Sequence, residues 1–341
     1  FRRVLFRSLG AFSSAFFLFG VALVYGAAGS TNLVAIADAV GVDGLGASPM
    51  MLAGIALLAV GFGFKVAAVP FHMWTPDAYD GAPTPVTAFM AAAVKAAAFA
   101  AFLRVFLTAF PGLYESWGQV FFWLAVVTMV AANLVALVEG NVKRMLAYSS
   151  IAHAGYLMVA LTAASEVGAA SFLFYLVAYT LMTVGAFAVV LAVGREGERA
   201  LDLDHYGGLA WEKPILGIAM TVCLLSLAGF PFTAGFIGKF FILRSAVEKG
   251  LVPLAVILVL ASLLSYYYYL RGAWYMWFRE APSENAHKGI TIAPGVRVAL
   301  VAAVIGILWF GIFPGQLLEL AERSASIFAQ APSAFLSATG R

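Results

Sequence analysis

The sequence predicts an all-α polytopic membrane protein, and two observations carry this prediction. Of its 341 residues, 63% are apolar and 11% are charged, whereas a soluble domain carries about 25% charged residues. Long apolar runs also recur along the whole chain, and about 20 such residues in a helix cross the hydrocarbon core of a bilayer. Because these runs are continuous instead of alternating, they fit helices and not the strands of a β-barrel.

The apolar runs predict nine membrane crossings. Separated by polar breaks, they cover residues 9–26, 49–79, 84–107, 118–138, 141–162, 169–194, 214–243, 251–278 and 293–313. Two of them, 49–79 and 214–243, exceed the length of one crossing, and each contains a proline, Pro70 or Pro231. Because an internal proline removes a backbone donor and clashes with the preceding turn, both helices are expected to break within the membrane. Paired broken helices are typical of inverted-repeat ion transporters.

The basic residues predict the orientation of the chain. Nine crossings put its two ends on opposite sides of the membrane, and most lysines and arginines of the loops share one side when the N-terminus is inside. The positive-inside rule favours that arrangement. We therefore predict a multi-pass protein with its N-terminus inside and its C-terminus outside, surrounded by membrane lipids.

Several kinds of chemistry have no signature in the sequence. The single cysteine, Cys223, excludes a Cys-x-x-Cys pair, and the four histidines show no metal-ligand spacing. No glycine-rich phosphate loop is present, and the net charge of +3 is small. The sequence predicts no metal site, no cofactor site and no nucleic-acid partner for this chain.

Three lysines, Lys65, Lys95 and Lys239, fall inside the apolar runs. A lysine at the middle of a membrane helix costs about 2.5–3.5 kcal/mol on insertion scales, and it marks a functional site by default. A lysine that extends to the lipid headgroups is the alternative for any one of them. All 17 acidic residues fall in loops or at helix ends. Since burial without a carboxylate disfavours the charged amine, these lysines are predicted to bind and release protons. The alternative is a partner carboxylate on another chain or on a segment outside this sequence.

Other polar residues are candidate relays. His72 follows Lys65 by seven residues, in a proline-rich segment that is too polar to face lipid. Lys143 and His153 belong to the fifth predicted helix, which also carries hydroxyl side chains. Histidine exchanges protons near neutral pH, but a structural hydrogen bond or interhelical packing explains these residues equally well. The four tyrosines at 266–269 are predicted to form an aromatic belt or packing cluster.

Three stretches, residues 64–86, 141–156 and 227–240, carry a resemblance to a known family. On these motifs the chain resembles the antiporter-like membrane subunits of respiratory NADH:quinone oxidoreductase, from about residue 9 to residue 314. The lysine at position 239 separates the chain from a sister subunit of the family that has a glutamate there.

The resemblance implies an antiporter-like inverted-repeat helical bundle of fourteen helices, of which this chain holds helices six to fourteen. It divides the chain into residues 1–8, an atypical start; 9–107, the remainder of the first repeat; 118–278, the second repeat; 293–313, the final transmembrane helix; and 314–341, a C-terminal tail. Lys65, Lys95 and Lys239 match the lysines of helices seven, eight and twelve, and Lys143 matches a basic position at the start of helix ten. In the family, the lysine of helix seven pairs with a glutamate on helix five.

The resemblance also implies a function. The family couples quinone reduction to proton translocation across the bacterial inner membrane, in a complex whose other subunits hold NADH, flavin, iron–sulfur clusters and quinone. The expected partners are the other membrane subunits of the complex, including neighbouring antiporter-like subunits. A subunit of a multi-subunit sodium/proton antiporter, which shares the fold and the lysines, is the alternative. A structural membrane spacer would leave three buried lysines without a use.

Overall fold

The computed structural model describes residues 2–41, 44–45, 48–194, 201–283 and 287–329. In chain order the helices are α1 (Arg2–Ala28), α2 (Leu33–Gly41), α3 (Pro49–Val66), α4 (Trp74–Gly81), α5 (Thr84–Ala109), α6 (Tyr114–Ala136), α7 (Val142–Ala163), α8 (Glu166–Val193), α9 (Leu209–Glu212), α10 (Pro214–Ala228), α11 (Ala234–Glu248), α12 (Val252–Phe278), α13 (Pro294–Ile312) and α14 (Gly315–Ala329). Within these ranges the chain forms helices and connecting turns.

Eight helices of the described ranges are long and apolar enough to cross a membrane. They are α1, α3, α5, α6, α7, α8, α12 and α13. Each of them coincides with a run predicted from the sequence, which confirms the polytopic all-α prediction. The remaining predicted crossing, 214–243, consists of the two shorter helices α10 and α11.

Both proline-containing segments are broken helices, as predicted. The first break separates α3 from α4 and contains Pro70, and the second separates α10 from α11 and contains Pro231. α10 ends at Ala228 and is capped by Gly229, whose φ of +90° favours glycine. At the first break, the backbone N–H of Val69 donates to Oγ1 of Thr128 at 3.0 Å. This backbone N–H, which has no partner within its own helix, thus finds one in another helix. Buried backbone N–H groups generally need such a hydrogen bond.

Three helices, α1, α2 and α14, differ from the predictions. α1 already begins at Arg2, so most of the predicted atypical start, residues 1–8, continues the first helix. The run of apolar residues in α2 is too short for a crossing and was not predicted to be helical. The predicted tail, 314–341, begins with the helix α14, which mixes leucines with charged residues. Such a composition suits a helix that lies along the surface of a membrane protein.

The centre of the molecule is α7. It packs against α4, α6, α8, α11 and α12, and 94% of its spanning window is buried, against 17% for α1. Large apolar side chains on the outer faces of α1, α6, α12 and α13 are exposed, as expected for surfaces that contact lipid. Polar side chains on α7 are therefore enclosed by protein, and they determine where chemistry can occur.

Candidate functional site

Lys95 lies near the middle of α5 and is 3% exposed. The turn before it, Met90–Val94, is a π-helix, a local widening that is frequent at functional sites. The Lys95 ammonium donates to the backbone oxygen of Ser150 at 2.6 Å and contacts its Oγ at 2.5 Å. A lysine of α5 thus lies against the polar middle of the central helix α7.

His153 lies one turn further along α7 and is fully buried. Its Nδ1 is hydrogen-bonded to the hydroxyl of Tyr175 on α8 at 2.6 Å, and its Nε2 to the hydroxyl of Tyr269 on α12 at 3.0 Å. Tyr269 is also hydrogen-bonded to Oγ of Ser149. Because each hydroxyl and the imidazole can both donate and accept, a proton can be passed along this cluster by exchange of donor and acceptor roles.

Lys239 lies on α11 and is also buried. Its ammonium donates to the carbonyl oxygens of Leu227 and Ala228, each at 2.9 Å. These carbonyls belong to the last turn of α10, so the second helix break supplies both acceptors. The negative end of the α10 dipole also faces the cation, which is favourable. The helix break at Pro231 therefore provides the hydrogen-bond acceptors for Lys239.

Lys239 and the histidine cluster are neighbours. The backbone of Gly238 lies so close to the Tyr175 ring that an added Cβ would be 2.4 Å from its Cδ2. Tyr156 lies between His153 and Lys239: its ring centroid is 5.3 Å from that of His153 and 4.6 Å from Nζ of Lys239. We call this set of groups the polar axis. It comprises Lys95, Ser149, Ser150, His153, Tyr156, Tyr175, Lys239 and Tyr269.

Lys65 and His72 lie elsewhere. Lys65, predicted to be buried, is exposed on the last turn of α3, because the described helices leave that side of the turn uncovered. His72 is half-buried in the connection between α3 and α4. In the described ranges, no hydrogen bond joins either residue to the polar axis.

Lys143 lies on the helix predicted for it, but away from the polar axis. It lies in the first turn of α7, is fully buried, and donates to the backbone oxygen of Ala82 at 2.7 Å. The next residue, Arg144, forms an ion pair with Asp77 of α4 at 3.0 Å. These contacts fasten the start of α7 to the second half of the first broken helix. Ten residues of helix, about 15 Å, separate Lys143 from His153.

Two tyrosines of the polar axis, Tyr175 and Tyr269, were not predicted to belong to the site. Tyr268 and Tyr269 are fully buried, and their hydroxyls bond to Asn133 and to His153, respectively. Of the two predicted alternatives, a packing cluster fits this pair and an aromatic belt does not. Tyr175 drew no attention in the sequence. Their distance from the helix ends could have indicated a role inside the protein. Both Tyr175 and Tyr269 lie nine residues from an end of their helices, whereas tyrosines of an aromatic belt occupy the membrane interfaces.

The described residues contain no group of three or more histidine, cysteine, aspartate or glutamate side chains that could hold a metal ion. The polar groups of the polar axis and its direct partners are amines, hydroxyls, one imidazole and the backbone carbonyls that accept from the amines. Such a set suits proton exchange, because most of its members can both bind and release a proton.

Comparison with known proteins gives relatives of the family that the sequence resembles. NADH-quinone oxidoreductase subunit N of Trichlorobacter lovleyi is 48% identical over 319 residues, which are 94% of this chain and 65% of that protein. The chain thus spans less than two thirds of the length of this relative. A chain of respiratory complex I from Thermus thermophilus, solved with bound aureothin, shares 39% identity at a TM-score of 0.77, over 93% of this chain and 68% of that one.

A chain of the Mrp complex from Dietzia sp. has a TM-score of 0.84 at 23% identity, over 95% of this chain and 67% of that one, and it shares the fold. The family described as "NADH:quinone oxidoreductase/Mrp antiporter, TM" matches residues 4–265. These findings confirm the resemblance predicted from the three motifs. With more than half of its length matched and both broken helices in place, the chain belongs to the NADH:quinone oxidoreductase/Mrp antiporter family of transmembrane proteins.

Proposed function

We propose that this chain is a proton-translocating membrane-arm subunit of NADH:quinone oxidoreductase. The observation that carries the proposal is the polar axis, in which two buried lysines and a histidine lie along the enclosed helix α7. The identity to subunit N proteins supports the choice of complex. NADH, flavin, iron–sulfur clusters and quinone belong to other subunits, and the neighbouring membrane subunits are the partners.

In this mechanism Lys95 receives a proton beside Ser150, the cluster of Tyr269, His153 and Tyr175 passes it on, and Lys239 exchanges it with the outer side. Moving one proton against about 100 mV costs about 2.3 kcal/mol. Hydrogen bonds to charged groups contribute about 1.5–3 kcal/mol each, so a change in the contacts of one ammonium matches the required energy. Quinone reduction elsewhere in the complex supplies that change.

Lys65 is proposed to deliver protons to Lys95, with a carboxylate on a neighbouring segment as its partner. Exposure of Lys65 on α3 leaves room for that partner. His72 and Lys143 are further candidate relays, at the first break and at the start of α7. The chain lies in the bacterial inner membrane with its N-terminus inside and its C-terminus outside, as the basic loops favour.

The test replaces Lys65 by alanine in the intact complex and compares membrane vesicles of the two strains. We expect NADH:quinone activity and the accompanying proton uptake to fall together, severalfold, because the coupled path loses a proton carrier. Lys288→Ala, which removes an exposed loop lysine, is the control and keeps both activities.

Sodium/proton exchange is measured in the same vesicles. If Lys65→Ala removes that exchange and leaves NADH oxidation unchanged, the chain is a subunit of a sodium/proton antiporter instead. The Mrp likeness makes this the second candidate, although at 23% identity it bears on the fold alone.

A further inference from the structure

The ring of Tyr156 faces the cation of Lys239. Nζ of Lys239 lies 4.6 Å from the ring centroid, well within the distance of about 6 Å at which the negative face of an aromatic ring attracts an ammonium group. Both side chains are buried. Because water does not compete in such a place, the attraction between cation and ring is stronger there than at a surface.

The hydroxyl of Tyr156 is engaged on the opposite side. It accepts a hydrogen bond from Nδ2 of Asn133 at 3.3 Å, and Oδ1 of Asn133 accepts one from Tyr268 at 2.9 Å. Nδ2 of Asn133 also donates to the carbonyl oxygen of Met129 at 2.7 Å. The ring of His153 meets the Tyr156 ring edge to face, with an interplanar angle of 74°. Side chains from α6 and α12 thus fix the plane of the ring.

The environment of Lys239 therefore has two parts of different chemistry. The carbonyl oxygens of Leu227 and Ala228 accept hydrogen bonds from the amine, and they can do so whether or not it is charged. The aromatic face attracts the amine chiefly when it is positive. The ring therefore adds a second preference for the protonated amine to the one that the carbonyls and the α10 dipole provide.

We propose that Tyr156 is a positioning residue for proton exchange at Lys239, and that its ring, rather than its hydroxyl, favours and locates the protonated amine. This inference rests on the proposed function, because it assigns one part of that function to a residue that carries no proton itself. Any aromatic ring with an electron-rich face would serve at position 156.

The test varies the electron density of the ring at constant shape. Tyr156→Phe is compared, in the intact complex, with variants that carry one, two or three fluorine atoms on the phenylalanine ring at position 156. Each fluorine withdraws electron density from the face and weakens its attraction for a cation. We expect Tyr156→Phe to keep most of the proton uptake per NADH oxidised, and the uptake to fall stepwise with fluorination, severalfold over the series.

Tyr114 provides a matched control. Its ring faces Lys249 at 4.7 Å, but Lys249 is exposed and lies outside the polar axis. The same series at position 114 is expected to leave proton uptake unchanged. Immunoblots of the vesicles establish that each variant is present in equal amount.

A flat response across the fluorinated variants at position 156 would overturn the inference. A large loss already in Tyr156→Phe, with no further fall on fluorination, would assign the role to the hydroxyl and overturn it as well. Lys239→Ala is measured alongside. If that variant retains full coupling, the proposed function itself fails, so the two failures are distinguishable.

Discussion

Lys239→Ala is expected to lower proton uptake per NADH oxidised by a factor on the order of 10². The substitution removes the amine that lies at the end of the polar axis, and it leaves the carbonyl oxygens of Leu227 and Ala228 without their donor. The measurement is the decay of a pH-sensitive dye signal in inverted vesicles energised with NADH, together with the rate of NADH oxidation.

Two further variants separate proton exchange from charge. Lys239→Arg keeps a positive charge and donors for the carbonyls, but a guanidinium does not release its proton in proteins; we expect it to be as defective as alanine. Lys249→Ala removes an exposed lysine of the segment after α11 and is expected to behave as wild type. Full activity of Lys239→Arg would mean that the lysine has a purely structural role.

Gly235→Ala is expected to prevent assembly of the subunit. Gly235 is the second residue of α11, where an added Cβ would lie 1.8 Å from the carbonyl oxygen of Ser226 and 2.9 Å from Sδ of Met182. The first of these atoms is backbone, so α10 and α11 would have to separate. Overpacking costs about 1–3 kcal/mol when side chains can adjust, and we expect about 3 kcal/mol or more here.

The measurement is the amount of subunit in the membrane and the midpoint of its thermal unfolding in detergent. Gly295→Ala is the matched control, because Gly295 is also the second residue of its helix, α13, and an added Cβ there meets no atom within 4 Å. A Gly235→Ala subunit that accumulates and unfolds like wild type would contradict the close approach of the two half-helices.

The crossings could be predicted because hydrocarbon thickness fixes helix length, and the breaks because proline cannot continue a helix. The same reasoning failed for α2 and α14, which do not span a membrane and so escape a criterion based on the length of apolar runs. The start of α1 at Arg2 was missed for a related reason. The arginines near the start of the chain interrupt the apolar stretch, but they do not interrupt the helix, since arginine is a good helix former.

The lysines of the site could be predicted one by one, but their partners could not. Lys95 and Lys239 are conspicuous because charge is rare in apolar runs. Tyrosines are common there, so only the fold reveals that Tyr175 and Tyr269 converge on His153. The π turn before Lys95 likewise has no sequence signature that we recognised. Lys65 is the opposite case. The sequence predicted it to be buried, but its exposure depends on which other helices surround α3.

The two carbonyl acceptors of Lys239 bear on what else must change when its amine loses a proton. An ammonium has three hydrogens and a neutral amine has two, and the oxygens of Leu227 and Ala228 use two. Loss of the third hydrogen leaves no buried acceptor unsatisfied, so no rearrangement of the half-helices is required. If Lys239 exchanges protons as proposed, its charge can change while the two half-helices keep the hydrogen bonds that join them.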